Sequence, residues 1–138
     1  MKLALDLDSL TLVSPDDFTS SASSQSARKG DVVPIELILV EDGQVVEVDS
    51  PTITIYVVDS GDYSNLLTST NTFTKTNTGL ETRYEASLDL SVAGVTGEFA
   101  DGTVKSIDAL LEVEVTTGVH TESSEPVEIE IHNSYVAP

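Results

Sequence analysis

An all-β domain is the fold class that this sequence predicts, and three features predict it. Apolar residues recur with a period of two in five separate segments, the signature of strands buried on one face. Turn-forming groups rich in glycine, asparagine and aspartate separate those segments. No heptad pattern and no repeat of fixed length runs through the 138 residues, so coiled coils and solenoids are set aside. Alternating segments joined by such turns point to antiparallel pairing. About seven to nine strands at this spacing make a sandwich or a barrel.

The elements follow in chain order. Leu3, Leu5 and Leu7 alternate with Ala4, Asp6 and Asp8 and form a first strand. Ser14 to Ser26 is rich in serine, with Phe18 as its only large apolar residue, and reads as a long mobile connection. The expected division is therefore an amino-terminal strand and tether over 1–27 and a β-sandwich over 28–138. A strand on such a tether is able to pair outside its own domain, which makes Leu3, Leu5 and Leu7 candidate assembly contacts. Pairing into the chain's own sheet is the other reading, because sequential strands usually pair nearby.

Arg28-Lys29-Gly30-Asp31 is a basic turn at the entrance to the longest apolar run, Val32 to Val40. In that run Ile38 and Val40 are apolar on the face opposite Ile35, Leu37 and Leu39, the pattern of a central strand covered on both sides. Pro34 lacks a donor and belongs near its start. Asp42-Gly43 takes up positive φ at low cost and predicts a hairpin to a short strand at 45–48. Ile53, Ile55 and Val57 form the next strand, and Asp59 to Asp62 a turn. Beyond the Asn77 to Gly79 turn, Tyr84, Ala86, Leu88 and Leu90 alternate with Glu85, Ser87 and Asp89. Ser91 to Gly102 shows neither period clearly, and Val92, Val95 and Phe99 suit one short helical turn plugging an end of the domain. Leu111, Val113 and Val115, then Val127, Ile129 and Ile131, form the last two strands.

Composition excludes several function classes. A net charge of −18, from 24 acidic against 6 basic residues, disfavours phosphate backbones and anionic headgroups, so neither nucleic acid nor membrane is an expected partner. The absence of cysteine removes thiol catalysis, zinc–thiolate sites and disulfide frameworks. Asp6 and Asp8 interrupt the place where a signal peptide would carry its apolar core, so no secretion signal is expected. No window approaches the ~18 consecutive apolar residues of a transmembrane helix.

Residues that could carry chemistry are few. His120 sits in a loop and His132 on the solvent side of a strand, and nothing in the spacing brings them together as a metal pair. There is no Gly-x-Ser-x-Gly elbow for a nucleophile. With 24 carboxylates, a pair of acids can be found in any arrangement and carries no information. Three phenylalanines, four tyrosines and no tryptophan are a thin supply for a carbohydrate cleft. Asp59-Ser60-Gly61-Asp62-Tyr63-Ser64-Asn65 is the best calcium candidate, but it lacks the one-three-five spacing and distal glutamate of an EF-hand loop and reads as a turn. No catalytic residue, metal ligand, cofactor or small-molecule substrate is expected. Arg28 and Lys29 are read as closing their turn by pairing with a carboxylate, or as an intersubunit salt bridge.

The run Arg28-Lys29-Gly30-Asp31, the alternating Ile35, Leu37 and Leu39, then Asp42-Gly43 and Ile53-Thr54-Ile55-Tyr56, resembles the amino-terminal domain of phage baseplate upper proteins and related phage-like virion proteins. Later landmarks fit the same pattern: Gly79 to Tyr84, the Leu110 to Val115 strand and the closing Val127 to Asn133 strand. The resemblance implies an immunoglobulin-like β-sandwich that serves as a non-catalytic tail, baseplate or fibre-attachment subunit. It further implies self-association, with a trimer favoured, contacts with other virion proteins, and assembly into the virion in the host cytoplasm. With few residues after Asn133, no distal receptor-binding domain is expected, and Tyr135 is a further candidate contact. A calcium- or carbohydrate-binding β-sandwich module is the alternative.

Overall fold

Alternation decides which face of each long strand is buried, and among the described residues twelve strands build two sheets packed face to face. The computed structural model describes residues 1–79 and 81–133. In order, the strands are β1 (Lys2–Asp6), β2 (Thr11–Val13), β3 (Gln25–Arg28), β4 (Val32–Glu41), β5 (Gln44–Val45), β6 (Thr52–Asp59), β7 (Asp62–Thr70), β8 (Thr74–Asn77), β9 (Thr82–Asp89), β10 (Ser106–Thr117), β11 (His120–Ser123) and β12 (Val127–His132). A single-turn helix, α1 (Ala93–Thr96), runs into a 3-10 turn at Gly97–Phe99. The first sheet has the order β2-β1-β4-β9-β8, with β5 also on β4. The second has the order β3-β12-β10-β6-β7, with β11 also on β10.

The all-β sandwich expected from the sequence is the fold observed. Its sheets are mixed, however: β1 runs parallel to β4, with Leu5 opposite Leu39, and β3 runs parallel to β12, with Ala27 opposite Ile131. The strand total exceeds seven to nine because β2, β3, β8 and β11 are three or four residues long and present no apolar alternation to count, and because β7 is a further strand.

Inward-facing side chains of both sheets form one core, in which Leu3, Leu5, Ile35, Leu37 and Leu39 meet Ile55, Val57, Leu111, Val113 and Ile131. Val95 and Phe99 close one end of it, as their spacing predicts. The two-sided burial of β4 has a specific cause: Ile38 and Val40 join Ala4 and Val13 in a second cluster on the outer face of the first sheet, covered by Phe18 and Val45. The hairpin after β4 forms at Asp42 (φ 52°) and Gly43 (φ 74°), a type I′ turn that pairs Glu41 with Gln44.

Ser14 to Ser26 is not a free tether. The Asp17 carboxylate accepts hydrogen bonds from the Thr19 and Ser20 amides and the Ser20 hydroxyl, at 2.9, 3.0 and 2.7 Å. Those bonds hold the turn that lays Phe18 over the outer cluster. Ser21 bridges Val13, and by Gln25 the chain is already paired with β12.

Candidate functional site

The candidate assembly residues are dispersed. Leu3 and Leu5 are each 1% exposed inside this chain's own core, so a neighbouring subunit could reach them only if β1 left the sheet. Leu7 is half-buried against the same core, and its amide donates to the Val40 carbonyl at 2.8 Å, prolonging the β1–β4 ladder. Arg28 is exposed at the end of β3, opposite His132, and makes no ion pair among the described residues. Tyr135 lies outside the described residues.

The basic turn closes without a carboxylate. Gly30, at φ 92°, donates its amide to the Leu90 carbonyl, Leu90 returns a hydrogen bond to Asp31, and Lys29 donates to His132. The Lys29 ammonium instead sits 5.6 Å from the centroid of the Phe99 ring, within cation–π range. This follows from the fold: the 3-10 turn that plugs the core presents Phe99 to the turn. The sequence showed no connection between residues so far apart.

The histidines are separate, His120 within 2.7 Å of Glu122 and His132 within 2.9 Å of Glu130. In the Asp59 to Asn65 segment the carboxylates bond to their own turns. Asp59 accepts the Gly61 amide at 2.8 Å, and Asp62 accepts the Ser64 hydroxyl at 2.6 Å. Among the described residues no three His, Asp or Glu side chains are grouped so as to hold a metal ion. A groove of about 470 Å³ beside β3, lined by Ser24, Gln25, Ser26, Asp108, Glu128 and Glu130 among others, offers no aromatic platform.

Charge is distributed unequally over the two sheets. On and around the first sheet, Arg83 pairs with Glu81 at 2.7 Å and with Glu36 at 3.5 Å. Lys75 pairs with Glu47 at 2.8 Å, and Lys2 lies 3.9 Å from Glu81. On the second sheet the registers set Asp108 beside Glu130, Leu110 beside Glu128 and Val58, and Glu112 beside Tyr56. No lysine or arginine pairs with any of those carboxylates among the described residues. Burial, and then the neighbouring Glu114 charge, push the Glu112 carboxyl above its ordinary value.

The sheet edges differ as much. β2 has three residues and runs into Pro15, while β3 and β8 have four each and carry Arg28 and Lys75. Short strands, prolines and cations are the usual protection of an edge. β7 is nine residues long, has neither lysine nor proline, and exposes Tyr63 and Leu66 at 55% and 49%. The pairing irregularity opposite it is confined to Val57–Asp59, near the hairpin. Sequence reasoning missed this strand by treating Asp59 to Asn65 only as a turn. The β-prone run of leucine, threonine and serine at 66–70 was the available signal.

A two-sheet β-sandwich with one long edge strand that lacks proline and lysine, and that α1 covers only at Leu66 and Leu67, is the class of protein these features define. No protein-family model and no curated protein matches the chain. Among solved structures it is similar to the N-terminal domain of phage TP901-1 ORF48, at 12% identity and a TM-score of 0.40, over 97% of each chain.

Proposed function

We propose that this chain is a non-catalytic structural protein of a phage or prophage virion, a tail, baseplate or fibre-attachment subunit that works through protein–protein assembly. The observation that carries the reading is β7. Apart from the Leu66–Leu67 stretch, against which Gly94 of α1 packs, this nine-residue edge offers outward backbone donors and acceptors to another strand, and exposed Tyr63 and Leu66 add side-chain contacts. Asp62 is its only charged residue, so copies of a chain with net charge −18 can meet there with little repulsion. The sequence resemblance beginning at Arg28 supports the same reading.

Symmetry narrows the geometry. Two β7 strands pairing with each other would be related by a twofold axis, whereas a threefold ring requires β7 to meet a different surface of the next copy. β3, the opposite edge of the same sheet, would continue that sheet from copy to copy over at most its four residues, despite the edge cation at Arg28. The proposed assembly is this head-to-tail trimer.

Light scattering after size exclusion tests it on the full chain and on the double variant Tyr63→Lys/Leu66→Lys. A trimer that becomes a monomer in the variant supports the reading. A dimer keeps the edge and removes the threefold arrangement. A monomer in both removes self-association.

A further inference from the structure

We infer that the outer face of the β3-β12-β10-β6-β7 sheet is a docking surface for a basic segment of a second, different protein. The inference rests on the assembly reading and adds to it the chemistry of a partner. Register fixes what this face presents. Half-buried Leu110 stands beside buried Val58 across β10 and β6, with half-buried Tyr56 in the next row. Around them lie Asp108, Glu112, Glu114, Glu128 and Glu130. An apolar centre within a polar rim is the anatomy of an interface.

Charge selects the occupant. The first sheet's Glu36, Glu47 and Glu81 are matched internally by Lys2, Lys75 and Arg83. The second sheet's rim has no lysine or arginine ion pair among the described residues; its basic groups are His132, bound to Glu130, and Arg28 beside it at the β3 edge. A second copy placed face to face here would set carboxylates against carboxylates, so self-association is assigned to β7 and not to this face. Arginine or lysine side chains alternating with apolar ones would satisfy the rim and cover the Leu110 row together. Bringing cations to Glu112 and Glu114 also relieves the repulsion between them.

The test uses two defined peptides, (Arg-Leu)4 and its equally charged control (Arg-Ser)4, with amide chemical shifts and fluorescence anisotropy as readouts. Shifts should concentrate at residues 54–58, 108–114 and 128–130. Binding of (Arg-Leu)4 should be about tenfold tighter than that of the control. Glu112→Gln/Glu128→Gln should weaken it by about tenfold, whereas Glu41→Gln/Glu85→Gln on the other sheet, with the same loss of charge, should not. Melting curves establish that both variants are folded. Shifts spread over both sheets, equal affinity for the two peptides, or equal effects of the two variants would overturn the inference and leave the β7 reading standing. Protection of this face in an assembly of the chain alone would give it to a second copy and overturn it too. A monomeric chain that still binds (Arg-Leu)4 here would keep the surface while removing self-association.

Discussion

Replacing Leu5 by alanine tests whether β1 belongs to its own domain. Leu5 is 1% exposed, lies between Leu12 of β2 and Leu39 of β4, and belongs to the main core. The substitution removes three carbons, worth about 2 kcal/mol in transfer at ~0.8 kcal/mol each. The cavity left between two hydrogen-bonded strands cannot collapse freely, which brings the loss to about 3–4 kcal/mol. Against a total stability of about 5–15 kcal/mol, this should lower the melting temperature by about 10–15 °C. Half-buried Leu7→Ala should cost about 1 kcal/mol. Circular dichroism melts and urea titrations in the Tyr63→Lys/Leu66→Lys background isolate the effect from self-association, and there the melting temperature should not change with concentration. A Leu5→Ala loss below about 1 kcal/mol, or a melting temperature that rises with concentration, would refute a β1 packed within its own chain. By the same reasoning, deleting residues 1–26 should unfold the domain, because Leu3, Ala4, Leu5, Leu12 and Val13 are all buried.

Three further outcomes follow from single contacts. The buried Tyr84 hydroxyl accepts the Val48 amide at 3.0 Å and donates to the Val48 carbonyl at 2.9 Å, so Tyr84→Phe should cost about 1–3 kcal/mol in denaturant titrations and speed amide exchange at Val48. A methyl group at Gly94 would meet the Leu67 carbonyl oxygen, with Leu66 O at 3.3 Å; Gly94→Ala should therefore destabilise by about 1–3 kcal/mol despite its better helix propensity, and calorimetry measures the sign. Hydrogen bonds from the Ser20 amide first, then the Thr19 amide and the Ser20 hydroxyl, lower the Asp17 carboxyl from 3.8 to about 2. Because the folded value is depressed, its contribution is complete above pH 3.8 and is lost as pH falls through about 2. A carboxyl NMR titration should find that midpoint, accompanied by loosening of Phe18; a midpoint near 3.8 would contradict the turn.

The sequence made most buried faces legible and left most neighbours hidden. Alternation in Ile53 to Val57 and in Leu111 to Val115 identifies inward residues because each face has its own solvent exposure. The same pattern cannot tell parallel from antiparallel partners, so the β1–β4 and β3–β12 pairings were beyond it. Asp42-Gly43 was readable because its turn depends on local φ alone. The opposite held at Ser14 to Ser26: low hydrophobicity resembles mobility, yet Asp17 hydrogen bonds and one phenylalanine suffice to fix the segment. Of the site, Leu3 and Leu5 were legible as buried residues, but alternation left open whether a neighbour or their own sheet covers them, and their own core does. Lys29 seeks Phe99, a partner that exists only after folding. The β7 edge depends on what fails to pair with it, which no local pattern contains.

Amide hydrogen exchange along β7 in the full chain, compared with the Tyr63→Lys/Leu66→Lys variant, tests the central claim most directly. The account predicts that outward amides of residues 62–70 are protected in the assembled chain and exchange rapidly in the variant, while those of β2 and β8 are the same in both. Rapid exchange along β7 in an assembled chain would contradict it, since the copies would then be held together by some other surface.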